Sequence, residues 1–323
     1  MCQTAVVDEH LKNLITRHGA NFRRAAESPF GAEDEIGMLN LIDGESRRSI
    51  LSRADAGTML DLSVDYFVGM PSWSQAGDPG YQIWMTHTPH GTVIDDSMGV
   101  GDEQNRLVSY SGDAISMYTH CGTHVDALNH FGYAGEIFNR FTVDEHLGSR
   151  NWTVAGADRQ PPVLARGVLL DVAGAKGMNT LPPNYGITAQ DLRECQRRQG
   201  LELRHGDVVM IRTGQMALWP TPAYMEAEPG LVMDAAHHLA RHGAALIGAD
   251  TISLEQRPSA DPDNWNAVHC FLLAEAGIAI LEVANLEALA AERLYEFAFF
   301  GAAIRLRGST AAPIRPVAMP LCA

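Results

Sequence analysis

Residues 118–131, YTHCGTHVDALNHF, contain three histidines and one aspartate within eleven positions: His120, His124, Asp126 and His130. The intervening Gly122 argues against a helical zinc motif, because glycine costs a helix about 1 kcal/mol relative to alanine. The glutamate of the helical HExxH arrangement is also missing. In an extended strand, alternate residues share a face, so His120, His124 and Asp126 are predicted to point the same way. Two imidazoles and a carboxylate suit Zn²⁺ or Mn²⁺, and His130 is a further ligand or a proton carrier.

The composition is that of a globular protein of 323 residues, with 46% hydrophobic and 20% charged residues. Lys and Arg number 24 against 39 Asp and Glu, a formal charge of −15, so nucleic acid is not an expected partner. No stretch approaches the roughly 20 apolar residues of a membrane span, and the N-terminus lacks the apolar core of a signal peptide. A cytoplasmic protein without a membrane partner is therefore expected. The five cysteines form no CxxC pair, which favours reduced thiols, and packing is favoured over ligation for Cys121 and Cys270.

The pattern along the chain predicts an α/β fold with a mixed sheet, because strands and helices do not alternate regularly. A helical lead-in over 1–30 is predicted to precede a single domain over 31–323. The segment Gly77–Gly101 is rich in Gly, Pro, Asp and Thr and is predicted to be a long loop. Predicted strands lie at 58–66, 115–128, 167–173, 206–214, 244–250, 278–282 and 297–308. Predicted helices lie at 44–54, 188–200, 234–243, 269–277 and 285–294, and a Pro-rich tail follows the last strand.

The stretch HCGTHVDALNHF resembles the HxGTHxDxxxH signature of the metal-dependent cyclase family, which includes bacterial kynurenine formamidase, isatin hydrolase and trans-dienelactone hydrolase. Further segments are similar to the family in the expected order, over roughly residues 28–320. They are GAEDEIGMLNLI, DLSVDYFVGMPSW, RGVLLDVAG, GDVVMIRTG, IGADTISLE, HCFLLAEAGIAILEVANLE and GSTAAPIRPVA. The resemblance implies a β/β/α fold with a barrel-like sheet, assembled into homodimers or homotetramers.

The resemblance also implies roles for single positions. His120, His124 and Asp126 match the ligands of a first metal ion. Asp126 would bridge to a second ion held by His269 and Glu282, and His130 matches the catalytic histidine. His269 and Glu282 are thirteen residues apart, one more than in the compact formamidases, so one ion and two ions both remain open.

The function implied is hydrolysis of a linear or cyclic amide, such as an arylformamide or an isatin-like ring. A divalent ion would activate water as hydroxide, and His130 would take up a proton and later deliver it. Lactone hydrolysis is the alternative within the same chemistry. A cyclase or dehydratase, an iron oxygenase and a metal-stabilised binding protein without turnover are further alternatives. The small-molecule substrate is not identified, although Phe67, Trp73, Tyr81 and Trp84 could line an aryl pocket. Asp250 is interpreted as structural.

Overall fold

The computed structural model describes residues 3–19 and 23–322, and within them nine strands form one mixed sheet. The strands of the chain, in order, are β1 (Leu60–Asp61), β2 (Gln82–His87), β3 (Gly112–Ser116), β4 (His124–Asp126), β5 (Val163–Asp171), β6 (Gly186–Ile187), β7 (Val208–Arg212), β8 (Gly230–Leu231), β9 (Leu246–Ala249), β10 (Ala279–Glu282), β11 (Glu296–Gly301), β12 (Ala311–Pro313) and β13 (Val317–Pro320). The large sheet has the order β1-β13-β11-β5-β7-β9-β10-β4-β12, while β2 pairs with β3 and β6 with β8. The predicted α/β fold with a mixed sheet is confirmed.

The middle of the sheet is parallel, and its two ends are antiparallel. Strands β5, β7, β9 and β10 run in the same direction, and β4 pairs antiparallel with β10 on one side and with β12 on the other. The parallel strands are buried almost throughout, as expected for strands covered on both faces. The sheet therefore brings β4 and the end of β10 side by side.

Ten α-helices lie in the described residues: α1 (Gln3–Gly19), α2 (Gly44–Arg53), α3 (Pro89–Asp95), α4 (Asp102–Asn105), α5 (Val143–His146), α6 (Val172–Ala175), α7 (Ala189–Gln199), α8 (Met233–Arg241), α9 (Ala267–His269) and α10 (Glu287–Ala291). Helix α7 confirms the helix predicted over 188–200: Thr188 forms a capping box with Asp191, and Gly200 follows in the left-handed conformation at φ 67°. No helix of residues 3–19 or 23–322 combines the length and apolarity needed to span a bilayer.

Helix α1 packs onto the same core as the sheet. Val7, Leu11, Leu14 and Ile15 are buried in a cluster that also contains residues of α8 and of the parallel strands. The helix covers only the first part of the predicted lead-in, since residues 23–30 are not helical. The boundary between a lead-in over 1–30 and a domain over 31–323 stays a prediction.

Two stretches for which no strand was predicted contain strands. Residues 77–101, predicted to be a loop, contain β2 and α3, because Ile83, Trp84 and Met85 favour a strand and Thr88 caps a helix that starts with Pro89. The Pro-rich tail contributes β12 and β13, so the predicted final strand does not close the sheet. The tail forms strands because its prolines lie at strand ends, where a missing N–H is tolerated.

Candidate metal centre

Strand β4 presents two of the predicted ligands. His124 and Asp126 are two residues apart on this strand, so their side chains lie on the same face. The antiparallel neighbour β10 pairs Glu282 with His124, and this register brings Oε2 of Glu282 to 3.1 Å from Nε2 of His124. Asp126, His124 and Glu282 are all fully or almost fully buried. Strand pairing thus brings together residues that are about 160 positions apart in the sequence.

His120 reaches the same centre from a turn, which corrects the prediction of a continuous strand. Strand β4 begins at His124, because Gly122 adopts the left-handed conformation at φ 59° and bends the chain. A Cβ atom on Gly122 would lie within 2.9 Å of the Tyr66 ring, so glycine is required here. Thr123 fixes the turn by donating its hydroxyl to the carbonyl of Val283 and accepting the N–H of Val64.

His269 joins the centre from a helix that directly precedes β10. Helix α9 ends at His269 and continues as a π-helical segment, Cys270–Ala276. A π-helix takes more residues per turn than an α-helix, and such turns recur at functional sites. His269 and Glu282 lie thirteen positions apart, on either side of this π-helical segment, and Nε2 of His269 is 3.2 Å from Oε1 of Glu282.

The ligand atoms form two groups that share Asp126. His120, His124 and Asp126 form one group, and Asp126, His269 and Glu282 form the other; within each group the candidate atoms lie within 4.8 Å of one another. Nδ1 of His120 is 2.8 Å from Oδ1 of Asp126. Five predicted ligands therefore converge, and their assignment to a metal ion stays a prediction.

The hydrogen-bond pattern of the centre fits a divalent cation. Both carboxylate oxygens of Asp126 are buried without a hydrogen-bond partner in the part of the chain that the structure describes, and so is Nε2 of His124. Nδ1 of His124 lies 2.8 Å from the carbonyl of Gly122, so this nitrogen carries the proton in the neutral ring and Nε2 keeps its lone pair. Buried lone pairs facing one another are costly unless a cation or a donor lies between them.

The electrostatics of the centre favour positive charge. Burial lowers the pKa of His269, but the carboxylates of Glu255 and Glu282 outweigh it and raise this pKa to about 10. Burial likewise lowers the pKa of His124, and Glu282 and Asp126 reverse the effect, so that the net direction is upward. For Glu282, burial raises the pKa, while His124 and His269 lower it to about 2. Surroundings that stabilise a proton on these imidazoles also stabilise a metal cation among them.

His130 lies beside the centre. Its ring stacks on His120 with centroids 3.8 Å apart, and Nε2 is 3.9 Å from Oδ2 of Asp126. Burial, followed by the neighbouring His120, lowers its pKa well below the ordinary value. The side chain retains 19% of its exposure, whereas the predicted ligands are almost fully buried. His130 therefore faces the cavity, as a proton carrier would; its catalytic role stays a prediction.

A cavity of about 280 Å³ adjoins the centre and is lined by His120, His130, His269 and Glu282. Of the four aromatic residues predicted for an aryl pocket, only Trp73 lines it. Phe67 and Tyr81 pack around Cys121, and Trp84 is exposed on β2. The aromatic walls come instead from Tyr118, Phe131 and Trp265.

The cysteines next to the histidines are packed thiols, as predicted. Cys121 donates to the carbonyl of Tyr118, and Cys270 approaches the carbonyl of Gly132. Burial raises the pKa of both thiols to about 11. Neither cysteine belongs to a ligand group among the residues described.

Two contacts of the centre were not found from the sequence. Glu255 lies 2.6 Å from Nδ1 of His269, and Thr310 lies 2.9 Å from Nε2 of His120. The sequence places Glu255 shortly after strand β9, and side chains at the ends of neighbouring strands often lie close together. Nothing in the sequence, however, indicates that Glu255 contacts His269. Asp250 is structural, as predicted, because it accepts hydrogen bonds from Thr213 and Gly214.

Residues 60–256 match the family model "Cyclase: Putative cyclase", which is well over half of the chain. The chain belongs to the cyclase family. The membership predicted from the HCGTHVDALNHF signature is thus confirmed. No curated protein gives a significant sequence match.

Solved structures of similar fold support this membership. A crystal structure of "a novel cyclase" is 26% identical at a TM-score of 0.80, covering 92% of this chain and 100% of that one. Isatin hydrolase A from Labrenzia aggregata, bound to benzyl benzoate, is 17% identical at a TM-score of 0.60, with coverage of 81% and 93%. A "predicted metal-dependent hydrolase from Bacillus stearothermophilus" is 20% identical at 0.52, with coverage of 81% and 97%. The isatin hydrolase and the predicted metal-dependent hydrolase share the fold of this chain.

Proposed function

We propose that this cyclase-family protein is a metal-dependent hydrolase that opens the amide bond of a linear or cyclic aromatic amide. One observation carries the proposal: Asp126 is buried and shared by two groups of ligand-type side chains, and among the described residues neither of its oxygens accepts a well-oriented hydrogen bond, although Nδ1 of His120 lies 2.8 Å from Oδ1. The names of two neighbours of similar fold, isatin hydrolase A and a metal-dependent hydrolase, agree with it.

The residues that would hold the metal are His120, His124 and Asp126, with His269 and Glu282 completing a second position. A divalent ion such as Zn²⁺ or Mn²⁺, when bound, polarises a carbonyl and makes a coordinated water more acidic. The ligand set of imidazoles and carboxylates suits either ion. Glu255 would orient His269 by accepting its Nδ1–H.

His130 would handle the proton in the reaction. Its Nε2 is close to Asp126, and its side chain keeps access to the cavity. The attacking water would give a proton to Nε2 as its oxygen bonds to the amide carbon. When the C–N bond breaks, this proton would be delivered to the leaving nitrogen, which departs as a neutral amine and leaves the acyl part as a carboxylic acid. Stacking of the His130 ring on His120 fixes its orientation, so the residue needs no rearrangement between the two transfers. Phe131 and Trp73 would pack against the aromatic part of the substrate and exclude water.

The first experiment is elemental analysis of protein purified without added metal, with turnover measured on three substrates. Isatin represents cyclic amides, formanilide linear aryl amides and dihydrocoumarin aryl lactones. We expect one or two zinc or manganese ions per chain and hydrolysis of at least one of the amides. His124→Ala should lose metal and turnover, whereas the exposed His90→Ala should retain both.

Each other outcome points to another function. Faster opening of the lactone than of either amide would make the protein a lactone hydrolase. Bound metal with no turnover of any carbonyl substrate would favour a metal-stabilised binding protein. A folded protein that contains no metal and cannot be loaded with zinc or manganese would refute the proposal.

A further inference from the structure

Arg257 contributes a cation to the wall of the same cavity. It lines the cavity together with His269 and Glu282, on the loop that follows β9. Its backbone is fixed, because its N–H donates to the carbonyl of Glu228. Neither the proposed metal ligands nor the proposed proton transfer makes use of this guanidinium.

The side chain of Arg257 is held in place by two neutral contacts. The guanidinium lies over the ring of Trp73, with its carbon 4.8 Å from the ring centroid. Nη1 donates to Oδ1 of Asn266 at 3.1 Å. Asn266 is itself buried, and its carbonyl accepts the N–H of Cys270, so it is anchored at the helix that carries His269. Arg257 is therefore positioned relative to the candidate metal centre by the same helix.

No carboxylate of the described residues forms an ion pair with Arg257. Its side chain contacts a tryptophan face and an amide oxygen, while the buried carboxyl of Glu228 is near enough for the charge of Arg257 to lower the pKa of that carboxyl without forming an ion pair. Stacking on Trp73 occupies a face of the guanidinium and leaves its in-plane N–H groups available. The N–H groups of a planar guanidinium are spaced to match the two oxygens of a carboxylate, so the two groups can form two parallel hydrogen bonds.

Aromatic rings form much of the remaining cavity wall, beside the histidines of the candidate metal centre. The ring of Phe131 packs between His269 and Trp265, with centroids 5.3 and 5.6 Å away, and Trp265 is 69% exposed at the rim. Asp78 also lines the cavity and is not paired with Arg257 in the described residues. The carboxylate of Asp78 repels an anion, whereas the guanidinium of Arg257 would attract one. The cavity of about 280 Å³ is of the size of a single substituted ring.

We propose that Arg257 binds a carboxylate of the substrate, so that the substrate class is aromatic amides that carry a carboxylate group. The inference rests on the proposed hydrolase function and adds the residue that selects among amides. Arg257 would hold the carboxylate while the ring lies against the aromatic wall, and the amide carbonyl would point to the candidate metal centre. Arg257 makes this contact in the ground state and in the transition state alike, so its effect falls on KM.

The test compares 2-, 3- and 4-formamidobenzoate with formanilide, which has the same amide and ring but no carboxylate. The native enzyme should hydrolyse at least one of the three acids with a higher kcat/KM than formanilide. In Arg257→Gln we expect kcat/KM for that acid to fall roughly 10- to 100-fold, mainly through KM, as for a lost charged hydrogen bond. Formanilide should change by less than about 3-fold. For the acid, kcat/KM of Arg257→Lys should lie between the values of the native enzyme and of Arg257→Gln, because lysine keeps the charge and loses the paired N–H donors.

A matched control and a binding measurement separate this inference from the proposed function. Arg197→Gln removes an exposed arginine of α7 and should leave both substrates unaffected. Calorimetry measures the binding of benzoate to metal-depleted protein, with benzamide as the neutral control ligand. This measurement needs no turnover, and without a metal ion the carboxylate cannot bind as a metal ligand. Should no amide be hydrolysed while Arg257→Gln still abolishes benzoate binding, the hydrolase proposal fails and the carboxylate site stands. Equal losses for acid and neutral substrate, or a native enzyme that prefers formanilide to all three acids, would overturn the inference.

Discussion

Oε1 of Glu255 lies 2.6 Å from Nδ1 and 3.1 Å from the backbone nitrogen of His269. The carboxylate therefore fixes both the ring and the chain at this position. Because an ionised carboxylate only accepts hydrogen bonds, Nδ1 carries the proton, and Nε2 of His269 is turned toward Glu282. Glu255 thus contributes to the centre without being one of its candidate ligands.

Glu255→Gln is expected to weaken metal binding about 10- to 100-fold, because the amide supports the His269 tautomer less well than a carboxylate. Competition with a chromogenic chelator measures the affinity. If the native protein binds two ions, the variant should lose the ion held by His269 and Glu282 and retain the other. Glu292→Gln, at an exposed residue after α10, is the matched control. An unchanged affinity for both ions would show that Glu255 does not support a ligand.

His130→Ala is expected to retain the metal and lose turnover by about 10²- to 10⁴-fold, the range of a general acid–base contribution. Elemental analysis and steady-state kinetics on the same preparation measure both quantities. The stacking contact with His120 is also lost, so His130→Gln serves as a second variant that fills the space. A metal-loaded variant with full activity would exclude His130 from proton transfer.

The local parts of this site could be predicted from the sequence. His124 and Asp126 share a face because they are two residues apart on a strand, and this follows from strand geometry alone. Gly122 argued correctly against a helix between the first two histidines, but the prediction extended the strand across the bend that this glycine forms. Helix caps such as Thr188 are equally local, since the capping side chain bonds to its own first turn.

The remaining contacts depend on pairing between distant segments, which local patterns do not encode. Glu282 lies opposite His124 only because β10 pairs with β4 in a specific register. Glu255 meets His269 because the loop after β9 returns to α9, fourteen residues along the chain. Thr310 reaches His120 across 190 positions, from a tail for which no strand was predicted. The predicted ligands could be named through the family resemblance, but their supporting residues could not.

The hairpin of β2 and β3 is where we expect contact between subunits. All six residues of β2 are exposed, and an isolated two-stranded hairpin is marginally stable in water. The chain between the strands adds large apolar side chains, with Ile94 80% and Leu107 85% exposed. The family resemblance predicts a homodimer or homotetramer, and a second copy of the same apolar ribbon would cover these side chains.

Light scattering coupled to size exclusion measures this assembly. We expect a mass of two or four times 35.1 kDa for the native chain. Ile94→Glu combined with Leu107→Glu should shift the mass toward one chain, because a buried unpaired carboxylate is costly. Leu51→Glu, at an exposed site on α2, should leave the mass unchanged. A monomeric native protein, or an oligomer that survives the double substitution, would contradict the prediction.

His238 on α8 is expected to make folding stability sensitive to acid. Its Nε2–H donates to Oε1 of Gln196 on α7, in a half-buried position. Burial lowers the pKa of His238 to about 4, helped by Coulomb interactions with His242, Arg193 and Arg241 and opposed by Asp234. The folded pKa lies below the unfolded value of about 6.5, so the unfolded chain binds more protons between these two values. The free energy of unfolding therefore falls as pH drops from 6.5 toward 4.

His238→Gln removes the titrating group and keeps an amide that can donate to Gln196. Urea unfolding at pH 7.5 and pH 5 gives the loss of stability for each protein. Between pH 7.5 and pH 5, and with allowance for the partial exposure of His238, we expect the free energy of unfolding of the native chain to fall by about 1 kcal/mol more than that of the variant. Loss of metal in acid affects both proteins equally and cancels in the comparison, provided that their denaturant slopes agree. Equal losses would mean that His238 is protonated in the folded chain as readily as in the unfolded one.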